Sequence, residues 1–554
     1  MKRFAELLDR LVLTPSRNGK LRLMEDYFRS VPDPERGYAL AAITGELEIR
    51  SVKPAMLRAL MTARMDEVLF AYSYDYVGDL AEAIALVWPS PHDGERQGRN
   101  DVPTLAEIVA ALDRATRVEG PKLVEEWLDR LDSSGRYALL KLVTGSMRIG
   151  VSARLAKQAL AEFGGKDVTE IEELWHGLHP PYGDLFAWLS GDGEKPVSAA
   201  ASPFRPVMLS QPLEEPDYGR ITAEDYAAEW KWDGIRVQAT RERGVARLYS
   251  RSGDDISGAF PDLLDHMDFD GALDGELLVA RPAVRGEPLV APHGAGPVED
   301  DIVVGTFSDL QQRLNRKTVS AAVIRQHPVF LRTYDLLQDG AEDLRPLPFA
   351  ERRRRLDRFV AALDRSRFDV SPFVPFASFE DLRRLRAAPP HAVIEGLMLK
   401  RWDSAYVPGR PKGPWFKWKQ DPHVIDAVLM YAQRGHGKRS SFYSDYTFGV
   451  WSGPADDPVL VPVGKAYFGF TDEELKQLDK YIRDNTIGRF GPVRSVRAEP
   501  DHGLVIEVAF EGLQRSGRHK SGVAMRFPRV SRLRWDKPAF EADRIETLEA
   551  MLGD

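Results

Sequence analysis

The chain has 554 residues, of which 43% are hydrophobic and 29% are charged, which is an ordinary composition for a globular protein. One hydrophobic core does not normally extend over this length, so we expect two to four domains. The chain contains no cysteine, which excludes disulfides, a thiol nucleophile and any cysteine-based zinc finger.

No apolar run reaches the roughly 18 residues that a membrane-spanning helix needs. Charged residues interrupt the apolar positions at the start of the chain, unlike in a secretory signal peptide. We therefore expect a cytoplasmic protein with no membrane partner. The net charge of −8 argues weakly against a nucleic-acid partner. Its local distribution matters more, because only charges that face phosphates release counterions.

The first 190 residues are predicted to be helical. Apolar residues recur at the helical spacing i, i+3, i+4, i+7 from Phe4 and again from Leu105, and a third apolar stripe covers residues 123–131. Thr104 and Glu107 have the spacing of a capping box at the start of the second helix. Such stripes are typical of core packing, and we assign them no chemistry.

Turn-forming and small residues over 190–201 predict a linker, and a second boundary falls near residues 420–422. Between these boundaries short alternating strands mix with a few helices. Beyond the second, short strands such as 440–443 and 504–508 fit a small Greek-key barrel of the oligonucleotide-binding type. The predicted domains are 1–204, 205–420 and 421–554. The Pro- and Gly-rich stretch 281–300 predicts a surface loop.

Two clusters of basic residues differ in their predicted roles. Between Arg515 and Lys537 eight Lys or Arg accompany one acid, Asp536. They alternate with apolar residues, which favours a structured basic surface over a merely solvated face. The four arginines at 352–355 fall in a helical pattern, and we interpret them as a solvated helix face instead of a DNA contact.

The most informative segment is 229–236, EWKWDGIR. In a strand, Glu229, Lys231 and Asp233 share one face, while Trp230 and Trp232 occupy the other. A lysine between carboxylates is a candidate nucleophile, provided that desolvation or nearby cations lower its pKa from about 10.4. Alone, the K-x-D-G pattern occurs by chance in about one chain in ten. A salt-bridged strand end is the alternative interpretation.

An ordered set of further groups strengthens the hypothesis of a nucleophile. It comprises an arginine on a turn, carboxylates on strands, an aromatic at a strand end and lysines on strand faces: Arg251, Glu276, Tyr334, Glu395, Lys400, Lys417 and Lys419. Two acids can hold a divalent cation and basic groups can hold phosphates, as phosphoryl or nucleotidyl transfer requires. Asp274 and Asp335 are interpreted as strand-end or turn residues.

In this order and spacing, the segments resemble the signature motifs of the ATP-dependent DNA ligases, within the covalent nucleotidyltransferases. Residues 526–537 resemble the closing motif of their oligonucleotide-binding domain. Residues 16–20 and 145–152 resemble parts of their helical DNA-binding domain. The resemblance covers nearly the whole chain. It implies a multidomain fold with an all-α DNA-binding domain, an α+β nucleotidyltransferase (adenylation) domain and a β-barrel OB-fold domain.

The resemblance implies a role for each candidate residue. Lys231 would attack the α-phosphate of ATP and carry AMP. Glu229 would help to recognise adenine and Tyr334 would stack on it. Arg236 and Arg251 would contact the nucleotide or the 5′-phosphate of DNA.

The remaining candidates would bind metal or phosphate. Glu276 would contact the ribose and, with Glu395, bind Mg²⁺ or Mn²⁺. The cations expected to neutralise phosphates are Lys400, Arg410, Lys417 and Lys419. The residues expected to orient the departing pyrophosphate are Arg534, Asp536 and Lys537.

The function implied is the sealing of 3′-hydroxyl/5′-phosphate nicks in duplex DNA by a monomeric enzyme in DNA repair, with unidentified repair proteins as further partners. An RNA ligase or a capping guanylyltransferase would share the lysine chemistry. An NAD-dependent ligase is disfavoured, because that family normally carries a cysteine-based zinc finger. A catalytically silent DNA-binding protein is disfavoured because the candidate groups occur together.

Overall fold

The computed structural model describes two compact units, residues 1–159 with 421–554 and residues 160–420. The described residues are all those of the chain except 78, 90–101, 146, 199, 283–301, 306, 315, 317, 392, 435–442, 455, 468–470, 492, 518–519 and 553–554. Within the described part, no helix combines the length and the apolar character needed to cross a membrane.

The N-terminal part is helical, as predicted. Its helices are α1 (Lys2–Leu13), α2 (Arg17–Ser30), α3 (Glu35–Thr44), α4 (Pro54–Thr62), α5 (Glu67–Val77), α6 (Leu80–Val87), α7 (Leu105–Arg114), α8 (Glu119–Arg130), α9 (Ser133–Thr144) and α10 (Ala153–Gly164). The three predicted stripes lie on α1, α7 and α8 and are buried. The capping box of α7 is confirmed, because the Glu107 amide donates to the Thr104 hydroxyl and the Thr104 amide donates to the Glu107 carboxylate.

A buried lysine connects the two segments that resemble a helical DNA-binding domain. The Lys20 side chain on α2 donates to the carbonyl oxygens of Ile149 (3.0 Å) and Gly150 (2.8 Å). The lysine is 5% exposed, so these carbonyls satisfy an ammonium group that would otherwise be costly to bury. Ser146, in the same segment, lies outside the described residues.

The second unit combines helices with two β-sheets. Its helices are α11 (Val168–Leu174), α12 (Gly183–Ser190), α13 (Pro261–Leu264), α14 (Phe307–Gln311), α15 (Ala321–Gln326), α16 (Phe349–Ala361) and α17 (Phe379–Ala387). Its strands are β1 (Gln211–Pro212), β2 (Tyr226–Trp232), β3 (Ile235–Glu242), β4 (Val245–Ser250), β5 (Gly271–Pro282), β6 (Ile302–Val304), β7 (Val329–Asp339), β8 (Glu342–Asp343), β9 (Phe368–Val370), β10 (Ile394–Arg401) and β11 (Trp415–Lys419).

The smaller sheet has the order β1-β11-β10-β2 and the larger one β4-β3-β5-β7-β8, with β6 beside β5 and β9 beside β7. As predicted, Trp230 and Trp232 of β2, and Phe416 and Trp418 of β11, lie on the apolar face and pack in one core cluster. Lys231, Lys417 and Lys419 therefore share the opposite, polar face. Of the predicted loop 281–300, residues 283–300 lie outside the described part.

The third stretch of the chain, 421–554, is rich in β-structure and forms part of the first unit. Its strands are β12 (His423–Arg434), β13 (Tyr443–Ser452), β14 (Val459–Ala466), β15 (Thr486–Phe490), β16 (Val493–Val496), β17 (Val505–Phe510), β18 (Gly512–Arg515), β19 (Val523–Arg526) and β20 (Arg529–Arg534), and its helices are α18 (Asp472–Asp484) and α19 (Ile545–Met551). The long β12 pairs with β13, β16 and β17, giving a half-barrel sheet. The strand predicted over 504–508 is confirmed as β17; residues 440–442 of the other lie outside the described part.

The interpretation of residues 352–355 as a solvated helix face is wrong for two of the four arginines. Arg352 and Arg353 are buried on α16 together with Phe349, Leu356 and Val360. These positions follow the spacing i, i+3, i+4, i+7, i+11, so both arginines point toward the core. Charge alone suggested exposure, whereas the spacing indicates burial.

The interpretation of Asp274 and Asp335 as strand-end or turn residues is also wrong, since both lie in the interior of strands. Both are fully buried inside β5 and β7, and each forms a two-point ion pair with an arginine. Asp335 accepts from Arg352 at 2.8 and 2.9 Å, and Asp274 accepts from Arg236 at 3.0 and 2.7 Å. Paired geometry of this kind is what allows a charge to be buried.

We predict that Arg352→Met lowers the free energy of unfolding by about 3–5 kcal/mol, because it leaves the buried Asp335 carboxylate unpaired. Urea denaturation at pH 7 would measure the loss. The control is Arg354→Met, on the same helix but with a side chain 61% exposed, which should change stability by less than about 0.5 kcal/mol. Equal effects of the two substitutions would contradict the assignment.

Candidate active site

The centre of the site is a β-bulge in β10. Gly396 pairs with Lys231 on one side and with Lys419 on the other, and the register shifts between Ile394 and Gly396. Simple alternation would place Glu395 on the apolar face with Leu397, but the bulge turns it to the lysine face. Gly396 has φ of 146°, and a Cβ there would lie 2.2 Å from the Trp418 carbonyl oxygen, so the bulge requires glycine.

Glu395 holds both lysines through a single oxygen. Its Oε2 lies 2.9 Å from the Nζ of Lys231 and 3.2 Å from the Nζ of Lys419. Burial acts to raise the pKa of Glu395, but the two ammonium groups outweigh burial and bring the pKa to about 2. The carboxylate is therefore charged at any physiological pH and fixes the position of the candidate nucleophile.

Glu276 on β5 has the opposite character. Burial, and then the neighbouring carboxylates of Glu395 and Asp233, raise its pKa to about 8 against the effects of Lys231 and Arg236. In most molecules the Glu276 carboxyl is therefore protonated near neutral pH when no further cation is present. A buried carboxyl that lacks a full counter-charge fits a place for a divalent cation.

The predicted metal pair of Glu276 and Glu395 is chemically suitable for Mg²⁺ or Mn²⁺. Mg²⁺ is commonly bound by one or two carboxylates and completes its coordination with water and substrate phosphates. A cluster of three or more His, Asp or Glu side chains does not occur among the described residues.

Three further predicted cations, Lys417, Arg251 and Arg410, form no ion pair with a carboxylate of the described residues. Burial lowers the pKa of Lys417, and Lys419, Lys231, Arg410 and Arg251 lower it further. Partial burial, followed by Arg236 and Arg410, lowers the pKa of Arg251. Cations that repel one another in this way are suited to hold an anion with several charges, such as a polyphosphate.

Arg236 is held by residues that sequence reasoning did not select. Besides Asp274, its Nη2 lies 3.2 Å from the hydroxyl of Tyr406, which donates to the same aspartate at 2.7 Å. The guanidinium lies 5.8 Å from the centre of the Tyr334 ring. A contact of Arg236 with nucleotide or DNA stays a prediction, and its observed partners are these side chains.

Lys400 on β10 is buried beside Glu229, and its contact with phosphates stays a prediction. It is 1% exposed, its Nζ lies 2.6 Å from Glu229, and it lies 4.4 Å from the centre of the Tyr334 ring. Burial lowers the pKa of Lys400, whereas Glu229 and Asp335 raise it. Glu229 also pairs with Arg353, another residue that sequence reasoning missed.

The predicted pyrophosphate-orienting residues lie together in the first unit. Arg534 pairs with Asp536 at 2.9 Å and with Asp426 at 3.2 Å, and Lys537 pairs with Asp426 at 2.8 Å. Asp426 lies on β12, far from this motif in sequence, and its single carboxylate joins both cations. No local pattern indicated this partner.

Comparison with known proteins identifies the family. The model of the ATP dependent DNA ligase domain matches residues 207–419, and that of the ATP dependent DNA ligase C terminal region matches 439–537. A probable DNA ligase of Koribacter versatilis (strain Ellin345) is 31% identical to this chain over 99% of the chain and 96% of its own length. The chain belongs to the ATP-dependent DNA ligases. This confirms the family predicted from the motifs.

Further comparisons agree with this ligase assignment. DNA ligase 1 of Korarchaeum cryptofilum (strain OPF8) is 30% identical over 99% of this chain and 97% of its own length. The solved structure of Pmar-Lig_PreS3 is similar over 96% of this ligase and 99% of that chain, with a TM-score of 0.54 at 14% identity, which shows a similar fold. The ligase is an enzyme that seals nicks in DNA with ATP as the AMP donor.

We predict that ionisation of Glu276 lowers the free energy of unfolding of the metal-free ligase as the pH rises. Its pKa is about 8 in the fold against 4.5 for the free group, so the stability it contributes is complete below pH 4.5 and is lost as the pH rises through 8. Over this window wild type should lose stability relative to Glu276→Gln, at up to about 1.4 kcal/mol per pH unit. Urea denaturation in EDTA at pH 5 and 8 would measure the difference, and parallel pH dependences would contradict it.

Proposed function

We propose that the ligase works through AMP carried on Lys231. The uncharged Nζ of Lys231 attacks the α-phosphorus of ATP, a P–N bond forms, and the bond to the β-phosphate oxygen breaks to release pyrophosphate, while one amine proton passes to solvent. The 5′-phosphate at a nick then takes the AMP from the lysine. Finally the 3′-hydroxyl attacks the activated 5′-phosphorus and AMP leaves.

The observation that supports this proposal most directly is the arrangement of Lys231, Glu395 and Lys419 around the bulge. Attack requires an uncharged amine. A carboxylate with a pKa of about 2 is a poor base, so Glu395 serves to aim the amine and does not take its proton. Preorganised charge of this kind is the main means of catalysing phosphoryl transfer.

The other side chains supply binding and charge. Lys417, Lys419, Arg251 and Arg410 would hold phosphates, and Glu229 with Tyr334 would receive the adenine. Glu276 and Glu395 would hold Mg²⁺ or Mn²⁺, which when bound neutralises charge on the transferring phosphate. The residues proposed to orient pyrophosphate are Arg534, Asp536 and Lys537.

We further propose three domains with the limits 1–204, 205–420 and 421–554. The helical domain would bind DNA, and the half-barrel sheet of the C-terminal domain would be an OB-fold. The contact of Lys20 with the 149–150 carbonyls supports the first assignment, because it joins the two segments that resemble a helical DNA-binding domain. A monomer acting on nicked duplex DNA, a cytoplasmic location and a part in repair stay predictions.

If Lys231 carries AMP, label from the α-phosphate of ATP should attach to the ligase and then leave it when DNA is added. With ATP labelled at the α-phosphate, wild type should become labelled and lose the label when nicked duplex is added. Lys231→Arg retains the positive charge beside Glu395 but removes the nucleophile, so it should take up no label. Denaturing gel electrophoresis would measure both. Label that persists on wild type with DNA, or that appears on Lys231→Arg, would contradict the proposal.

We also predict that nick binding depends steeply on salt and little on sequence. Phosphate contacts release counterions, so each neutralised phosphate contributes a slope of about −0.9 in a plot of log K against log salt. Arg148 is exposed in the loop before α10, and Arg148→Ala should make that slope shallower by about one contact. Fluorescence anisotropy on nicked duplexes of two sequences would measure this. A flat salt dependence would contradict it.

A further inference from the structure

We propose that Arg353 is a positioning residue that sets the preference of this ligase for adenine over guanine, by holding the Glu229 carboxylate in a fixed orientation. The inference rests on the proposed function, in which Glu229 and Tyr334 receive the base of ATP. It adds to that function a residue on α16, outside the strands that carry the other groups.

Each carboxylate oxygen of Glu229 forms an ion pair with a different cation. Its Oε1 lies 2.9 Å from the Nη1 of Arg353, and its Oε2 lies 2.6 Å from the Nζ of Lys400. The glutamate is 1% exposed. Rotation of the carboxylate would break one or both charged contacts in a place where water cannot replace them, so its orientation is fixed.

Each of the three guanidinium nitrogens of Arg353 has a hydrogen-bond partner. Its Nη2 donates to the carbonyl oxygen of Ser371 at 2.7 Å and its Nε donates to Asp357 at 3.0 Å. The guanidinium carbon lies 4.0 Å from the centre of the Phe373 ring. A planar guanidinium suits this combination of a stacked face and several in-plane hydrogen bonds, which a lysine could not reproduce.

The same cluster also supports the aromatic ring proposed to stack on the base. Lys400 lies 4.4 Å from the centre of the Tyr334 ring while it holds Glu229. One buried network therefore fixes both a hydrogen-bonding group and a stacking surface. Glu229 lies two residues from Lys231 on the same strand face, about 7 Å along β2, which brings base recognition close to the nucleophile.

The chemistry of a fixed carboxylate discriminates between the two purines. An ionised carboxylate can only accept hydrogen bonds. Adenine presents an amino group at position 6, which donates, whereas guanine presents an oxygen there, which would face the carboxylate and repel it. Two acceptors that face each other without a donor between them disfavour binding, so a carboxylate held in one orientation selects against guanine. Without Arg353 the carboxylate can turn, and this discrimination weakens.

The test compares self-adenylation kinetics with ATP and with GTP in three variants. Arg353→Met should raise the KM for ATP at least about tenfold and reduce the ATP-to-GTP ratio of kcat/KM at least about tenfold, with kcat changed much less. Arg353→Lys keeps a charge near Glu229 and should fall between wild type and Arg353→Met. The matched control is Arg354→Met, which removes an exposed arginine paired with Glu351 and should behave as wild type.

The possible results separate this inference from the proposed function. If wild type forms no lysyl-AMP, the proposed function fails. If wild type forms it and Arg353→Met keeps both the KM and the purine preference, the role of Arg353 alone is overturned. Should Arg353→Met fail to fold, as judged by circular dichroism, Arg353→Lys decides: an unchanged purine preference overturns the inference, and a reduced one supports it.

Discussion

The contact on which the site depends is the one between the Glu395 carboxylate and the ammonium groups of Lys231 and Lys419. Three strands meet at this point, and the bulge at Gly396 brings the acid to the same face as the lysines. The ion pair with Glu395 orders the flexible Lys231 side chain before ATP binds, which removes part of the entropic cost of attack.

Around this contact lie buried acid–base pairs that make the polar side of the unit rigid. Asp274 with Arg236, and Asp335 with Arg352, are satisfied at two points each. Buried pairs of this kind add little net stability, because desolvation offsets their attraction. Their value lies in geometry, since a fully satisfied network has few alternative arrangements. Glu276, whose pKa is raised chiefly by burial, is one of the two carboxylates proposed to bind metal.

How much could be predicted from sequence depended on how local the pattern was. Strand alternation correctly placed Trp230 and Trp232 in the core with Lys231 opposite, and the helical stripes and the Thr104 capping box were confirmed. Alternation alone would have misplaced Glu395, because one extra residue in the bulge reverses the face. Lys400, Arg353 and Asp426 depend on partners far away in sequence, so no local pattern predicts their contacts. For Arg353, the spacing from Phe349 to Leu356 does indicate that the side chain is buried, although it does not indicate its partner.

The role of Lys231 is tested most directly by peptide mapping with mass spectrometry after incubation with ATP and Mg²⁺ and removal of free nucleotide. We expect one adenylate per chain, attached as a phosphoramidate to the peptide that contains Lys231, and its complete loss after nicked duplex is added. An unmodified Lys231 peptide, or an adenylate on any other side chain, would overturn the proposed role of Lys231.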